Sequence, residues 1–270
     1  MVTFQPIEQL GGRQYMKFNK ISFLASDSAE AKRALKSLAK NFGNVRPDDA
    51  DVLVALGGDG LMLQALHGCL KSGLPVYGMN RGSVGFLMND FKITDLPTRL
   101  NAAEQTLIRP LRMVAKTHDG KRHERLAFNE VSFLRQRSQA AKLRLTIDGR
   151  VRLDEMICDG MMVASPVGST AYNLSAHGPI LPIGAPLLAL TPISVFRPRR
   201  WRGAILPNAA KVLIDILESE KRPVAAVADH DEVRNVISVE IVEDKKRSVK
   251  MLFDPGHSLA ERVLNEQFKF

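Results

Sequence analysis

The sequence predicts two domains: an α/β domain with a Rossmann-like parallel sheet, followed by a β-rich domain. Three observations support this fold class. Apolar segments of strand length alternate with segments of helical periodicity up to about residue 110. Beyond that point, strand patterns follow one another with few helical segments between them. The length of 270 residues is sufficient for two domains of ordinary size.

The first domain opens with a strand and a helix. Residues 21–25 form a short apolar run of strand length, and helical periodicity follows it. Asp27 and Glu30 have the spacing of a capping box at the start of this helix, and Gly43 is suited to its end. We therefore expect a helix between residues 27 and 43.

The next strand and helix enclose a glycine-rich turn. Residues 52–56 form a continuous apolar run, which is typical of a parallel strand buried on both faces. Leucines at helical spacing predict a helix that stops at Gly73, and residues 76–79 predict a third strand. The glycine-rich turn therefore lies at the carboxyl edge of the sheet, where ligands bind in open α/β folds.

The second domain is predicted to consist of strands joined by tight turns. Asp119-Gly120 and Asp148-Gly149 indicate two hairpins. Strands are expected at 112–118, 124–134, 142–148, 150–154, 161–164, 212–217, 224–228 and 236–242. We divide the chain into a loose leader (1–17), an α/β nucleotide-binding domain (18–110), a β-rich domain (111–250) and a C-terminal helix that docks back (251–270).

Composition excludes several classes of protein. No apolar run approaches the roughly 18 residues that a membrane helix needs, and the N-terminus lacks the pattern of an export signal. The two cysteines, Cys69 and Cys158, have no metal-ligand spacing and suit a reducing compartment. We therefore expect a cytoplasmic protein without a membrane partner and without a protein-bound structural metal.

The net charge of +9 is concentrated in two clusters. Residues 197–202 contain four arginines around the single tryptophan, and residues 245–247 are all basic. Basic clusters serve nucleic acids, membranes or polyanionic small molecules, but no nucleic-acid recognition motif accompanies these two. We expect no nucleic-acid partner, and the arginine cluster is either a solvated loop or an anion site.

Gly57-Gly58-Asp59-Gly60 occupies the turn at the carboxyl edge of the predicted sheet. Glycines let the backbone approach a phosphate, and N–H groups at the start of a helix face an anion favourably. A carboxylate beside an anion makes sense when it orients or deprotonates a hydroxyl group. Asp59 is therefore a candidate base for phosphoryl transfer, with an ordinary N-cap of the helix as the alternative. The sequence contains no P-loop motif.

Two further segments supply polar groups for a ligand. Asn80 and Arg81 precede a second glycine-rich loop at residues 82–85, and Arg81 is either a phosphate ligand or a surface group. In the β-rich domain, Asn129 and Glu130 place an amide next to a carboxylate, which suits a ribose diol or the edge of a base. On this pair alone, a solvent-exposed position for one of the two is the simpler interpretation.

Residues 159–180 form the most informative segment of the sequence. A predicted strand breaks at Pro166-Val167-Gly168, and a short helix is expected to begin near Ser169 or Thr170. Hydroxyl and N–H groups there would hold phosphate or ribose, and Tyr172 can stack on a ring. A nucleophilic serine is disfavoured because no Gly-x-Ser-x-Gly turn is present.

Taken together and in this order, these segments resemble the NAD kinase family. The resemblance covers about residues 20–255 and rests on residues 57–60, Asn80 with 82–87, Asn129-Glu130, and 159–180. The first motif is shared with lipid kinases and phosphofructokinases, whereas the last is far more specific. Its combination with Asn129-Glu130 decides between these families.

The resemblance implies an α/β domain and a β-rich domain with a dinucleotide bound between them. It implies phosphorylation of the 2′-hydroxyl on the adenosine ribose of NAD, which gives NADP. The implied donor is ATP, with polyphosphate as an alternative, and the implied cofactor is Mg²⁺ or another divalent cation. A homodimer or homotetramer, in which one protomer often completes its neighbour's site, is implied as well.

The same resemblance assigns a role to each site residue. Asp59 is the proton acceptor, Gly60 lies beside it at the nucleotide, and Asn80 belongs to the second loop. Asn129 and Glu130 bind the dinucleotide, and Asp159 holds a nicotinamide or ribose group. The adenosine-side pocket is lined by Thr170, Ala171, Tyr172, Asn173, Leu174 and Ser175.

The chain departs from the pattern of the family at several positions. His177 stands where a glycine is usual, and the segment 190–196 lacks the Pro-His pair that many members carry after this strand. Asp229-His230-Asp231 stands where an Asp-Gly-Gln element is expected. These changes leave the donor and the choice between NAD and NADH open. The arginine cluster, 197–202, is hypothesised to replace positive charge near the phosphates.

Two alternative functions remain at this point. A lipid or diacylglycerol-type kinase would share the first motif, but it needs an apolar groove and the polar segment 159–180 disfavours it. A dinucleotide-binding module without catalysis is disfavoured because Asp59 is intact.

Overall fold

The computed structural model describes residues 18–82 and 85–256. The predicted leader (1–17) and the predicted terminal helix beyond residue 256 lie outside the described residues. Within these ranges the chain forms one five-stranded sheet and two six-stranded sheets, which confirms an α/β domain followed by a β-rich domain. No helix in the described part of the chain is long and apolar enough to cross a membrane.

The first sheet has the strand order β1-β2-β3-β17-β4. Its first four strands in this order are parallel, and the edge strand β4 is antiparallel to its neighbour. The strands are β1 (Ile21–Ala25), β2 (Val52–Gly57), β3 (Val76–Asn80), β4 (Glu104–Ile108) and β17 (Val249–Phe253). The helices of this domain are α1 (Ala29–Phe42), α2 (Asp59–Cys69) and α3 (Leu96–Ala102).

The start of helix α1 differs from the sequence prediction. Ser28, and not Asp27, is the N-cap, because its hydroxyl oxygen accepts a hydrogen bond from the N–H of Ala31 at 3.1 Å. The capping box of Asp27 and Glu30 is therefore wrong. Gly43 ends the helix as predicted, with a φ of 76° and its N–H donating to the carbonyl of Ala39.

Helices α1 and α2 lie on opposite faces of the first sheet. Val52, Val54 and Leu56 pack with α1, whereas the alternate residues Leu53 and Ala55 pack with α2. The strand order β1-β2-β3 advances in one direction, so right-handed connections β1-α1-β2 and β2-α2-β3 would place both helices on the same face of the sheet. Since the helices lie on opposite faces, one of the two connections is left-handed, which is uncommon. Helix α2 packs on the face that meets the β-rich domain.

The β-rich domain is a sandwich of two antiparallel sheets around one hydrophobic core. One sheet contains β5 (Leu111–Thr117), β6 (Arg122–Ala127), β8 (Ala141–Ile147), β9 (Arg150–Cys158), β13 (Val212–Ile216) and β16 (Val236–Glu243). The other contains β7 (Glu130–Arg135), β10 (Gly160–Ala164), β11 (Leu187–Ile193), β12 (Ala204–Pro207), β14 (Val224–Ala228) and β15 (Asp231–Val233). The basic residues 245–247 lie in the turn after β16.

The predicted strand 124–134 is two strands in two different sheets. The chain leaves β6 at Ala127 and enters β7 at Glu130, and Phe128 and Asn129 form the passage between the sheets. The predicted single strand is therefore wrong at these two residues. The physical reason is a buried carboxylate that binds the N–H groups of the passage, as described below.

The last described strand returns to the first domain. Strand β17 inserts between β3 and β4, so residues 251–253 are part of the first sheet and not of a terminal helix. Asn89 secures this insertion, because its buried side-chain amide donates to the carbonyls of Gly78 and Leu252 at 3.0 Å each. The α/β domain therefore uses both ends of the described chain.

Candidate active site

Asp59 lies at the junction of strand β2 and helix α2, on the carboxyl edge of the first sheet. Gly58 is the N-cap of the helix, and Asp59 is its first residue without capping it. The two carboxylate oxygens instead accept hydrogen bonds from the N–H groups of Phe86 and Leu87, at 2.8 Å each. The N-cap interpretation is therefore wrong, and the carboxylate is oriented by a neighbouring loop.

The loop that follows β3 lies against the glycine turn. The N–H of Arg81 donates to the carbonyl of Gly57 at 2.8 Å, and a Cβ atom on Gly82 would be 3.5 Å from the Cα of Gly58. The side-chain oxygen of Asn80 accepts from the N–H of Gly82 at 2.9 Å. Asn80 thus shapes the predicted second loop at the site. Ser83 and Val84 lie outside the described residues.

Arg81 follows strand β3 next to the glycine turn, and its charge has no carboxylate partner among the described residues. Its guanidinium lies 3.8 Å from the centre of the Phe91 ring, a cation–π contact that fixes the side chain. Its Nε is buried without a hydrogen-bond partner, and Arg81 takes part in none of the salt bridges formed between described residues. A positive group without a carboxylate partner, on a residue whose backbone contacts the glycine turn, is suited to an anion.

A buried carboxylate, Asp229, organises the passage between β6 and β7. Its Oδ2 accepts from the N–H of Phe128 at 2.7 Å. Its Oδ1 accepts from the N–H groups of Asn129 at 2.9 Å and Glu130 at 3.4 Å. Asp229 itself has a φ of 54°, a left-handed conformation that turns its side chain back over the passage. Asn129 and Glu130 are therefore held in place by backbone contacts.

Glu130 has an unusual environment for a carboxyl group. Its Oε2 is buried without a hydrogen-bond partner among the described residues. Burial raises the pKa of the Glu130 carboxyl to about 7, and the nearby Asp229 carboxylate adds to the rise. Near neutral pH, Glu130 therefore exists in both protonation states and can donate to or accept from a hydroxyl group.

The segment 165–181 is bound to the same passage. The hydroxyl of Ser165 donates to the carbonyl of Phe128 at 2.6 Å and accepts from the N–H of Gly168 at 3.1 Å. A Cβ atom on Gly168 would be 2.2 Å from the carbonyl oxygen of Asn129, a distance that only glycine avoids. The predicted break at Pro166-Val167-Gly168 is therefore a close approach of two backbone segments.

The predicted pocket-lining residues follow in a short helix, α4 (Tyr172–Ser175), preceded by a 3₁₀ turn at Gly168–Thr170. Tyr172 and Ser175 are exposed, Thr170, Ala171 and Leu174 are half-buried, and Tyr172 is free to stack on a ligand. Asn173 is different, since its buried amide donates to the carbonyls of Ser169 and Pro179 and accepts from Thr191. Asn173 thus shapes the loop from within.

His177 occupies a position that favours glycine. Its φ is 61°, in the left-handed region, and its side chain is exposed. The next residue, Gly178, packs so closely that a Cβ atom would be 2.2 Å from the side-chain oxygen of Asn173. This geometry explains why the departure at His177 is tolerated: the histidine pays a backbone cost but points away from the loop interior.

Asp159 lies at the other end of strand β10 from this site. Glu130 pairs with Ala164 in the sheet, whereas Asp159 precedes Gly160. At about 3.3 Å per residue, five residues separate the two ends by about 16 Å. The Oδ1 of Asp159 accepts from the Nε of Arg135 at 2.5 Å. Within one chain, Asp159 is therefore remote from Glu130.

The arginine cluster, 197–202, is next to Asp159. Arg197 forms an isolated β-bridge with Ile157, and the exposed ring of Phe196 contacts the guanidinium groups of Arg197 and Arg199 at 5.7 and 5.6 Å from its centre. Trp201 packs against the sandwich core and anchors the loop. Within one chain, the cluster does not lie at the Asp59 turn, because it belongs to the Asp159 end of the sheet.

The two halves of the site share one hydrophobic cluster. Phe128 and Val167 of the β-rich domain are buried together with Leu87 and Met88, which belong to the loop around Asp59. His67 on α2 packs edge-on against the Phe128 ring, with centres 5.1 Å apart. The structure therefore joins the loop that holds Asp59 to the passage that leads into Asn129 and Glu130, and to Val167 before the 170–175 segment, whereas Asp159 lies at the far end of β10.

Sequence reasoning missed two residues of this region, Asp229 and His67. In the sequence, Asp229 stands out only as part of a departure from an expected element, and no pattern marks His67. The one available signal is that His67 follows Asp59 by eight residues on the same predicted helix. This spacing does not indicate which residue His67 contacts.

Comparisons with known proteins agree on one family. Residues 9–107 match the ATP-NAD kinase N-terminal domain, and residues 128–247 match the ATP-NAD kinase C-terminal domain. The chain is 59% identical over 249 residues to an NAD kinase of Brucella suis, covering 92% of this chain and 97% of the relative. It is 58% identical over 249 residues to an NAD kinase of Caulobacter vibrioides, covering 92% and 96%.

Two solved structures have the same fold. One is a yeast NADH kinase in complex with NADH, with a TM-score of 0.79 and 21% identity over 94% of this chain and 90% of that one. The other is an NAD kinase from Archaeoglobus fulgidus in complex with ATP, with a TM-score of 0.73 and 23% identity over 91% of this chain and 98% of that one.

The raised pKa of Glu130 leads to a prediction about stability. The folded protein keeps the Glu130 proton up to about pH 7, whereas the unfolded chain releases it near the usual value of 4.5. Stability therefore falls as the pH rises between these two values, since the folded state binds more protons. The Glu130→Gln variant lacks this loss and should be more stable than the wild type at pH 8, by about 1–3 kcal/mol.

Urea unfolding of both proteins between pH 4 and pH 8 measures this difference. The advantage of Glu130→Gln should shrink toward zero below pH 5. An advantage that is constant across this range would contradict the raised pKa.

Proposed function

The chain belongs to the ATP-NAD kinase family, whose reaction is the ATP-dependent phosphorylation of NAD, and we propose that Asp59 is the base of this reaction. The acceptor we propose is the 2′-hydroxyl on the adenosine ribose of NAD, and the product is NADP. The observation that carries the proposal is the Asp59 carboxylate, held by two backbone N–H groups at a glycine crevice. Family membership leaves no support for the lipid kinase or for the binding module without catalysis.

The chemistry of Asp59 follows from its surroundings. The carboxylate oxygens accept N–H groups from the neighbouring loop, and an ionised carboxylate in this orientation is able to take up a hydroxyl proton. As the 2′-oxygen bonds to the γ-phosphorus, its proton passes to Asp59, and the bond from the γ-phosphorus to the bridging oxygen breaks. ADP leaves with that oxygen. The orientation fixed by Phe86 and Leu87 reduces the reorganisation required in this step.

The acceptor side is formed by the β-rich domain. Asn129 and Glu130, fixed by Asp229, face the ribose and base of the dinucleotide in our proposal. The exposed ring of Tyr172 stacks on the adenine, and Thr170, Ala171, Leu174 and Ser175 line the pocket around it. Asn173 contributes by holding the loop in shape through its internal hydrogen bonds.

The donor side is formed by the glycine crevice. Gly58 and Gly60 present backbone N–H groups at the start of α2, where the helix dipole favours phosphate. Arg81 supplies a positive charge without a carboxylate partner among the described residues. We propose ATP as the donor, with polyphosphate as a second donor that the same charges would accept.

We propose that the cofactor, Mg²⁺ or another divalent cation, binds at this donor side mainly through the phosphates of the donor. Among the described residues, no group of three or more His, Cys, Asp or Glu side chains could hold a metal ion. Magnesium ions in nucleotide sites are held largely by substrate phosphates and water, so the single carboxylate of Asp59 is compatible with such a site. When bound, the ion would neutralise charge that develops on the phosphoryl group.

We further propose a homodimer or homotetramer in the cytoplasm. Asp159, which has the arginine cluster, 197–202, next to it, lies about 16 Å from Glu130 along strand β10, at about 3.3 Å per residue. An oligomer in which they face the site of a neighbouring protomer would give Asp159 its predicted role at the dinucleotide. The two buried cysteines, Cys69 and Cys158, are unpaired, as suits a reducing compartment.

Replacing the proposed base tests the mechanism. Asp59→Asn keeps the size of the side chain and one acceptor oxygen but cannot take the proton. The turnover number should fall about 10²–10⁴-fold, while circular dichroism shows an unchanged fold. NADP formation is measured with NAD, Mg²⁺ and ATP or polyphosphate, coupled to an NADP-specific dehydrogenase. Turnover equal to the wild type would contradict the base, and a wild type that forms no NADP with either donor would contradict the function.

Arg81 can be tested on the donor side. Arg81→Gln removes the charge from the crevice and should raise the KM for ATP roughly 10-fold, with little change in the KM for NAD. Arg46→Gln is the matched control, because Arg46 forms an exposed salt bridge to Asp49 with 84% of its side chain exposed. Equal KM values for ATP in both variants would exclude Arg81 from the donor site.

Shared sites between protomers predict complementation. Asp59→Asn and Asp159→Ala should each be nearly inactive alone, because every site then lacks one of the two residues. After unfolding and refolding together, mixed oligomers contain some sites with both residues intact, so part of the activity should return. Refolding each variant separately is the control. Activity that stays at the level of the separate variants would contradict a shared site.

A further inference from the structure

Helix α2 carries Asp59 at its start and a contact with the β-rich domain near its end. Asp59 is its first residue, and His67 lies two turns further along. The Nε2 of His67 donates to the Oδ2 of Asp229 at 2.8 Å, with 20% of the His67 side chain and none of the Asp229 side chain exposed. Within the described residues, this is the one hydrogen bond between side chains that joins the α/β domain to the β-rich domain.

The partner of His67 is the carboxylate that holds the acceptor residues. Asp229 accepts from the N–H groups of Phe128, Asn129 and Glu130 through the same two oxygens. The N–H of Asp229 also donates to the carbonyl of Glu130 at 3.2 Å. A displacement of Asp229 would therefore move Asn129 and Glu130 with it.

The surroundings of this pair restrict its movement. The His67 ring packs edge-on against Phe128 on one side and against His230 on another, with ring centres 5.1 and 5.2 Å apart. A buried carboxylate that loses its partner is strongly destabilised, because its charge has no access to water. These contacts therefore favour one position of helix α2 relative to the β-rich domain.

From this geometry we infer that His67 and Asp229 are positioning residues that set the distance between the base Asp59 and the acceptor pair Asn129-Glu130. In this role neither side chain touches the substrates. Helix α2 transmits the position as a rigid element, with Asp59 at one end and the His67–Asp229 hydrogen bond near the other. This inference rests on the proposed roles of Asp59, Asn129 and Glu130.

The inference predicts a selective effect on NAD. Without the His67–Asp229 bond, Asn129 and Glu130 are no longer held at a fixed distance from helix α2. The proposed donor residues, Gly58, Gly60 and Arg81, all belong to the first domain. The affinity for NAD should therefore fall while the KM for ATP stays the same. A merely structural role would lower the melting temperature without this selectivity.

Two substitutions at His67 separate the hydrogen bond from the ring packing. His67→Phe keeps a ring against Phe128 and His230 but removes the donor, whereas His67→Gln keeps a donor that can reach Asp229. His67 is partly exposed, so both variants leave the core intact. Arg99→Gln is the matched control, because it breaks another largely shielded ion pair, Arg99–Asp254, whose two residues both belong to the α/β domain.

The measurements are the dissociation constant of NAD by calorimetry and the KM values for NAD and ATP. His67→Phe should weaken NAD binding at least tenfold and raise the KM for NAD to the same degree, with the KM for ATP within twofold of wild type. His67→Gln should restore NAD binding to within about threefold of wild type. Arg99→Gln should lower the melting temperature and leave NAD binding unchanged.

A second cycle addresses the pair directly. If the two residues act together, Asp229→Asn should weaken NAD binding, and adding His67→Phe to it should cause little further loss. NAD binding by His67→Phe within twofold of wild type, or a loss no larger than that of Arg99→Gln, would overturn the inference. Calorimetry measures NAD binding without turnover. If the wild type binds NAD but forms no NADP, the proposed function is contradicted. The dissociation constants of the His67 variants still show whether His67 positions the NAD site.

Discussion

The arrangement of both domains depends on the burial of one carboxylate. Placing the Asp229 charge in the interior is costly unless hydrogen bonds replace the lost water. Three backbone N–H groups and the His67 ring provide them. Two of these N–H groups, those of Phe128 and Asn129, belong to the passage between the two sheets, and the third belongs to Glu130, the first residue of β7. The buried charge therefore depends on the N–H groups at the interrupted strand, and these N–H groups depend on the carboxylate as their acceptor.

This dependence explains why the crevice is shaped by backbone as much as by side chains. Phe128 enters the core of the first domain directly before Asn129, and Gly168 packs against the Asn129 carbonyl. Asp59 is likewise oriented by main-chain N–H groups of a neighbouring loop. The proposed reacting and binding side chains are thus few, and they are held in place by the backbone of residues that take no part in the reaction.

Hydrophobic periodicity predicted the two-domain architecture, the glycine crevice and most strands, because each of these depends on residues that are close together in the chain. It could not predict the break at Phe128 and Asn129, since residues 124–134 contain neither glycine nor proline to mark one. The cause of the break, Asp229, is 101 residues away from Phe128. The same limit applies to His67 and Asp229, which are 162 residues apart. Glu130 was noticed for its chemistry, but its burial depends on the fold.

The return of strand β17 to the first sheet has a consequence for synthesis on the ribosome. The strand lies between β3 and β4, so the sheet stays incomplete until residue 253 has left the exit tunnel. Most proteins made in this order fold their N-terminal domain first. Here the β-rich sandwich has all its strands before the first domain does, and a ribosome that stalls inside the sandwich exposes an unpaired, apolar β3 edge to chaperones.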